Sequence, residues 1–245
     1  MKPVIETAMS RLPTTLRHKI HERRHGKILR HYARLCVADA DAFYSFRPLL
    51  QSNSLFFHLP KCAGISLAKA VYGNNAAGHI FVRDALMFFG ANRFDAFFKF
   101  TVVRDPWDRC CSAFTFLSTG GLNAQDQQWA DAHLADCHDI NDFIERKLHL
   151  PAIRRWWHFR PQMDFLRDPR TGAPGVDFVG RFEQLDETVA VLQDRLGRAV
   201  QLPWENKTET RQSAEGMLTA ASAQKIARLY KSDIETFGYS MPSIV

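Results

Sequence analysis

One stretch of the chain combines residue types that bind phosphate. An apolar run from Leu55 to Leu59, typical of a short strand, is followed by a turn with Lys61 and Gly64 and then by a helical pattern. N–H groups at the amino end of a helix attract anions, a glycine allows close backbone approach, and a lysine supplies a mobile positive charge. The spacing is not that of a Walker A loop, because the lysine precedes the glycine. A nucleotide without a γ-phosphate is therefore indicated.

A second stretch places an arginine at the end of a strand. Phe98–Val103 predicts a buried strand, and Asp105 and Pro106 suit the N-cap and the first position of a following helix. Arg104 then lies at the carboxyl end of the strand, where open α/β sheets bind ligands. Ser112 lies about two turns into the helix. Arg104 and Ser112 are therefore candidates to bind a further phosphate.

Together the two stretches resemble motifs of the sulfotransferase superfamily, in the form used by its carbohydrate branch. Leu59–Leu67 resembles the loop that binds the 5′-phosphosulfate of 3′-phosphoadenosine 5′-phosphosulfate (PAPS). Val103–Arg109, with Ser112, resembles the motif that binds the 3′-phosphate. The motifs occur in the expected order, with Lys61 and Arg104 separated by 43 positions. The resemblance implies a PAPS-dependent enzyme.

The resemblance also implies which residues contact the nucleotide. The expected PAPS contacts are Lys61, Cys62, Ala63, Gly64, Ile65, Ser66, Arg104, Ser112 and, from a late loop, Lys207 and Arg211. Lys61 would stabilise the charge on the departing phosphate, and no metal is expected. The family usually has a hydroxyl residue at the position of Ile65, so Ser66 would have to supply that hydroxyl.

The reaction that the resemblance implies transfers the sulfuryl group of PAPS to a hydroxyl of an acceptor, and a base must remove the proton of that hydroxyl. A histidine is the expected base. His79 follows a glycine between the two phosphate motifs, and it resembles the catalytic histidine of uronyl-type carbohydrate sulfotransferases. The competing interpretation of His79 is a partly buried loop histidine without a chemical role. His158 is the alternative base or a substrate contact, whereas His58, on the strand itself, is expected to pack or to cap.

Basic and aromatic residues near His158 suit a sugar acceptor. Tryptophan faces pack on sugar rings, and arginine pairs with carboxylate or sulfate groups. The expected substrate contacts are Arg155, Trp157, Arg160 and Gln162. In the alternative interpretation, the adjacent Trp156 and Trp157 only anchor a loop to the core. The expected partner is a carbohydrate or glycolipid, and no nucleic acid is expected.

Strand and helix patterns alternate along the 245 residues, which predicts one α/β domain with a central parallel sheet flanked by helices, a P-loop-like nucleotide-binding fold. The expected strands are 54–59, 98–103 and 176–179; the expected helices are 64–72, 85–89, 106–117, 140–148, 185–196 and 217–237; and 122–137 is expected to be a polar loop or lid.

Residues 1–45 are expected to form a basic, helical arm before the domain at 46–245. The first 35 residues contain nine Lys or Arg and two Glu, so this arm accounts for the net charge of +6. The arm either contacts an anionic substrate or membrane surface, or is a solvated helix packed on the domain, which is favoured. Five cysteines without a paired spacing, and the lack of a signal-peptide or membrane-span pattern, predict a cytoplasmic protein.

Two other functions fit part of the pattern. A P-loop-type small-molecule kinase is disfavoured because the Lys-Ser/Thr pair for a γ-phosphate and Mg²⁺ is missing. A non-catalytic nucleotide-binding or adaptor domain is disfavoured because Lys61, Arg104 and Ser112 are all present.

Overall fold

A parallel sheet lies at the centre of the protein. The structure is a computed structural model that describes residues 14–202 and 214–243, with side chains described from residue 25 onward. Within these ranges three parallel strands pair in chain order, β1 (Ser54–Phe57), β2 (Phe98–Val103) and β3 (Phe178–Arg181). The carboxyl ends of all three strands therefore meet at one edge of the sheet. The predicted α/β fold with a parallel sheet is confirmed.

Helices connect the strands and flank the sheet. Those before β2 are α1 (Thr14–Val37), α2 (Arg47–Gln51), α3 (Gly64–Tyr72), α4 (Val82–Phe89) and α5 (Ala91–Ala96). Those between β2 and β3 are α6 (Pro106–Ser118), α7 (Ala124–His133), α8 (Ile140–Arg146), α9 (Pro151–Arg155) and α10 (Gln162–Leu166). After β3 follow α11 (Leu185–Leu196), α12 (Ala220–Leu229) and α13 (Lys231–Phe237), with 3₁₀ turns at Phe182–Gln184 and Ala214–Gly216.

Two apolar clusters hold these elements together. The first surrounds the sheet, where β1 is buried along its whole length and the Phe56 and Phe100 rings stack with centroids 5.0 Å apart. Such continuous burial is typical of parallel strands. The second cluster surrounds Trp107 of α6 and includes Phe159 and Tyr230. The second cluster joins α6 to the chain before α10 and to the C-terminal helices.

The basic arm consists mainly of α1, and its last turns pack on the domain. Tyr32 and Leu35 are buried, and the Tyr32 ring lies 5.3 Å from that of Phe46 and 5.5 Å from that of Phe88. The division of the chain at residue 45 stays a prediction. None of the helices in the described ranges has both the length and the apolar character of a membrane span.

The expectation of a loop or lid at 122–137 was wrong, because this segment contains α7. The Asn123 side chain accepts the N–H groups of Gln125 and Asp126 and so caps the helix. Most residues of α7 are exposed, and the buried ones include Asp126 and Trp129. The polar composition therefore reflected a solvated helix face.

The third strand lies two residues later than expected, because its pairing with β2 sets Phe178 opposite Phe100 and Gly180 opposite Val102. A Cβ at Gly180 would lie 2.4 Å from Cγ2 of Thr188, so this strand needs a glycine where α11 crosses it.

The long helix expected at 217–237 is two helices that meet at Tyr230. The Tyr230 hydroxyl donates to the carbonyl of Phe159 at 2.7 Å, a long-range contact without a local sequence signal. The remaining differences are boundaries: the first strand ends at Phe57, the short helix near 85–89 begins at Val82, and α8 ends at Arg146.

A carboxylate of α13 fixes the segment that enters α10. Asp233 is fully buried, and it accepts the N–H groups of Gln162 at 2.7 Å and Met163 at 2.9 Å. We expect Asp233→Ala to lower the free energy of unfolding by about 2–4 kcal/mol, because two buried N–H groups lose their acceptor. Urea unfolding measures this change, with the exposed Glu235→Ala as the matched control. Similar effects of the two substitutions would contradict the assignment.

Candidate active site

The loop between β1 and α3 has a backbone suited to an anion. Lys61 and Ala63 adopt left-handed conformations, with φ of 67° and 57°. Ala63 occupies the N-cap position of α3 and has no side-chain oxygen, so the N-cap residue itself does not cap this helix end. N–H groups at an uncapped helix start attract negative charge.

Gly64 makes room for a histidine. A Cβ at Gly64 would lie 1.7 Å from Cδ2 of His58. The His58 side chain is buried and stacks on Phe56, with centroids 5.8 Å apart. The glycine is therefore needed for contact within the protein, a requirement that the sequence did not reveal. His58 packs, as expected.

Lys61 is a partly desolvated cation. Its Nζ lies 4.0 Å from the centroid of the Phe116 ring, a cation–π contact. Burial and the charge of Arg104 lower the pKa of Lys61 to about 8, against the opposing effects of Cys62 and Asp126. The ammonium is thus mostly protonated at neutral pH but incompletely balanced, which favours binding of an anion.

Arg104 connects the end of β2 to this loop. Its Nη1 donates to the carbonyl of Lys61 at 3.2 Å, and its guanidinium carbon lies 4.2 Å from the centroid of the Phe182 ring. Nε of Arg104 is buried without a hydrogen-bond partner among the described residues. Two motifs 43 positions apart in the chain therefore meet at the carboxyl edge of the sheet.

The helix after Arg104 begins as predicted. The Asp105 carboxylate caps the N–H groups of Trp107 and Asp108, and Pro106 occupies the first turn of α6. Because Asp105 occupies this helix end, a phosphate contact from the motif would come from the side chains of Arg104 and Ser112. Ser112 is half-buried on α6.

His79 has a defined tautomer. Its Nδ1 lies 2.9 Å from the carbonyl oxygen of His58, and a carbonyl can only accept, so Nδ1 carries the proton and Nε2 the lone pair. The ring lies 4.3 Å from the His58 ring and stacks on Trp157 at 5.7 Å. Burial lowers the pKa of His79. His79 is therefore neutral at neutral pH.

His158 lies near Lys61. Its ring centroid is 5.1 Å from that of Phe116, the same ring that Lys61 contacts. Burial, followed by the charges of His79, Lys61 and Arg109, lowers the pKa of His158 to about 3. This ring is thus a neutral dipole across the ordinary pH range.

The side chain of Gln162 forms hydrogen bonds with the backbone of Arg104. It is fully buried, and its amide accepts from the Arg104 N–H and donates to the Arg104 carbonyl, both at 2.9 Å. Such a placement gives Gln162 a positioning role and does not support the substrate contact expected from the sequence. The predicted nucleotide contacts Lys207 and Arg211 lie outside the described residues.

Arg109 holds the histidine segment and was missed as a site-positioning residue. From α6 it donates to the carbonyls of His158 at 3.1 Å and Arg160 at 2.7 Å. Its side chain is buried. The motif that supplies Arg104 thus also positions His158.

The two tryptophans differ in surroundings. Trp156 stacks on Trp129 with centroids 5.2 Å apart and belongs to the second apolar cluster, whereas Trp157 is 36% exposed and lies against His79.

Arg160 lies 5.2 Å from the centroid of the Phe81 ring. Burial and the nearby Arg83 and Arg155 lower the pKa of Arg160, despite the opposing effect of Asp164. Trp157 therefore borders the surface beside His79, Arg160 contacts the same Phe81 ring as Trp157, and Arg155 is exposed on the same segment.

Asp126 is the site residue that sequence reasoning missed most clearly. It is a buried carboxylate on α7 whose charge affects Lys61 and His79. The spacing of Asn123 and Asp126, an N-cap residue followed three positions later by an acid, is the signal that could have located it. The described residues contain no group of three or more His, Cys, Asp or Glu suited to a metal ion.

The model of the sulfotransferase family matches residues 82–240, more than half of the chain. The chain therefore belongs to the sulfotransferase family, which supports sulfuryl transfer as its general activity. Neither the curated proteins nor the solved structures gave a match to the chain. The matched range includes Arg104, Ser112 and His158, and it begins after Lys61 and His79.

The contact between Gly64 and His58 can be measured. We expect Gly64→Ala to lower the free energy of unfolding by about 1–3 kcal/mol, because the added methyl group overlaps the His58 ring. Gly216→Ala is the matched control, since nothing lies within 4 Å of an added Cβ there. In a double-mutant cycle, His58→Ala should relieve much of the cost. Additivity of the two substitutions within about 0.5 kcal/mol would contradict the contact.

Proposed function

We propose that the protein transfers the sulfuryl group of PAPS to a hydroxyl of a carbohydrate or glycolipid acceptor, without a metal. The hydrogen bond from Arg104 to the Lys61 carbonyl carries this proposal, because it joins both motifs into one cationic site. The Lys61 loop suits a 5′-phosphosulfate, and Arg104 with Ser112 suits a 3′-phosphate. The buried Nε of Arg104, which has no hydrogen-bond partner among the described residues, fits an anionic ligand because it remains available to donate. The expected cytoplasmic location stays a prediction.

The chain's residues supply the two groups that this reaction needs. As the acceptor oxygen forms its bond to sulfur, the bond between sulfur and the bridging phosphate oxygen breaks. His79 takes the hydroxyl proton at Nε2, the nitrogen left with a lone pair by its bond to His58. The ammonium of Lys61 stabilises the charge on the departing nucleotide phosphate.

The surface beside His79 supports the acceptor assignment. The partly exposed ring of Trp157 offers an apolar surface to a sugar, and Arg155 and Arg160 offer donors to its polar or anionic groups. Because Trp157 stacks on His79, a sugar in contact with the exposed part of Trp157 lies near the proposed base.

A transfer assay tests the function. [³⁵S]PAPS is incubated with a panel of oligosaccharides, polysaccharides and glycolipids, with and without EDTA. Labelled acceptor that is insensitive to EDTA supports the proposal. Calorimetric binding of ATP with Mg²⁺, without sulfuryl transfer, would instead favour a kinase. Binding of adenosine 3′,5′-bisphosphate without transfer to any acceptor would favour a non-catalytic domain.

Arg104 should bind the 3′-phosphate of the nucleotide. We expect Arg104→Ala to weaken binding of adenosine 3′,5′-bisphosphate by about 1.5–3 kcal/mol, the range for hydrogen bonds to charged groups, and binding of adenosine 5′-phosphate much less. Isothermal titration calorimetry measures both, with the exposed Arg195→Ala as the charge-matched control. Equal losses for the two nucleotides would contradict a 3′-specific contact.

Nucleotide affinity should depend on the charge of Lys61. Because the pKa of Lys61 is lowered to about 8, its ammonium is present below that pH and is lost as the pH rises through it. We expect the affinity for adenosine 3′,5′-bisphosphate to fall over that range. Lys61→Arg should keep its affinity to higher pH, since arginine stays protonated. An identical alkaline decline in both proteins would show that another group is titrating.

His79 should affect chemistry and not nucleotide binding. We expect His79→Ala to lower kcat by about 10²–10⁴-fold and to leave the nucleotide Kd nearly unchanged, because a general base makes no phosphate contact. Burial lowers the pKa of His79, so the acid limb of kcat/KM should lie below 6.5 and should disappear in the variant. The exposed His138→Ala is the control. Near-full turnover of His79→Ala, with activity lost in His158→Ala, would exchange the two roles.

A further inference from the structure

A buried carboxylate faces the histidine that the proposed mechanism leaves without a role. Asp126 is 6% exposed, and its Oδ1 lies 4.0 Å from Nδ1 of His158. Its Oδ2 accepts the N–H group of Leu122 at 3.1 Å. One carboxylate oxygen is therefore held by the backbone, and the other is directed toward the His158 ring.

The backbone around Asp126 fixes this direction. Asn123 caps the N–H groups of Gln125 and Asp126 and sets the first turn of α7. Gly121, with φ of 69°, passes so close that a Cβ there would lie 2.2 Å from Cβ of Asp126. A larger residue at Gly121 would displace the carboxylate, so the local sequence is suited to holding Asp126 in place.

His158 needs a partner at the nitrogen that faces Asp126. Its Nδ1 is buried and has no hydrogen-bond partner among the described residues. A separation of 4.0 Å is longer than a hydrogen bond. Hydrogen bonds of catalytic groups are often long before substrate binds, and they tighten in the substrate complex.

Building on the proposed function, we propose that Asp126 is a positioning residue for His158: it accepts a hydrogen bond from Nδ1–H and leaves the lone pair of Nε2 to accept from the Lys61 ammonium. His158 and Lys61 both contact the Phe116 ring, and the charge of Lys61 acts on His158. The opposite tautomer would direct an N–H group toward that cation.

The charges around His158 favour a neutral imidazole, which can accept a hydrogen bond at Nε2. Facing groups are Asp126 from α7, Arg109 from α6, Lys61 from the phosphate loop, and His58 and His79. Burial, followed by His79, Lys61 and Arg109, opposes a charged His158 ring and lowers its pKa to about 3. His79 then serves as the base, and His158 orients the cation that stabilises the leaving group.

The tautomer of His158 is measured directly in the full-length protein labelled with ¹⁵N-histidine. Long-range ¹H–¹⁵N correlation spectra at neutral pH distinguish a protonated ring nitrogen from one with a lone pair, and His158→Gln assigns the signals. We expect protonation at Nδ1 in the wild type and loss of that preference in Asp126→Asn. Asp131→Asn, an exposed carboxylate of the same helix, should leave the spectrum unchanged. Protonation of Nε2 in the wild type, or an unchanged tautomer in Asp126→Asn, would overturn the proposal.

A kinetic measurement tests whether the tautomer of His158 affects activity. We expect Asp126→Asn to lower kcat by about 10–100-fold, comparable to the loss of a carboxylate that orients a metal-bound histidine, with nucleotide Kd unchanged. Asp131→Asn should behave as wild type. Unchanged kcat in Asp126→Asn would overturn the proposal. Should the wild type transfer no sulfuryl group, the proposed function fails, whereas the wild-type spectrum still decides the tautomer even if a variant does not fold.

Discussion

The candidate site depends on the buried amide of Gln162. It bonds to the N–H and the carbonyl of Arg104, while Asp233 accepts the backbone N–H of Gln162 itself. These groups are fully or nearly fully buried, so separating them would leave polar atoms without partners. The end of β2 and the start of α10 therefore cannot move independently. His158, a few residues earlier, is tied to the same framework through Arg109.

Parallel pairing of the strands explains why this framework collects positive charge. The chain leaves β1 into the Lys61 loop and leaves β2 at Arg104, and both exits lie at the same edge of the sheet. The two cations repel each other, which contributes to the lowered pKa of Lys61. Folding energy from the two apolar clusters offsets this repulsion, and an anion between the cations would relieve it. This pair of cations favours an anionic ligand, as the proposed function requires.

Local sequence signals predicted most of the strands and helices and the cationic residues of the site. They failed where the structure depends on contacts between residues that are distant in the sequence. Strand β2, the cap at Asp105 and helix α11 follow from propensity and capping, and their predictions were confirmed. The break at Tyr230 depends on a bond to Phe159, and the roles of Gln162, Arg109 and Asp126 depend on partners distant in sequence. Gly64 was correctly singled out for close approach, but the group that approaches is the His58 ring.

Hydrogen–deuterium exchange with adenosine 3′,5′-bisphosphate tests most directly whether the two motifs form one nucleotide site. Peptides covering 58–67 and 103–112 are followed across a nucleotide titration, with α11 as the internal reference. A single nucleotide site predicts slower exchange in both peptides at the same nucleotide concentration and no change in α11. Protection of only one peptide, or of neither at a concentration that saturates binding, would contradict it.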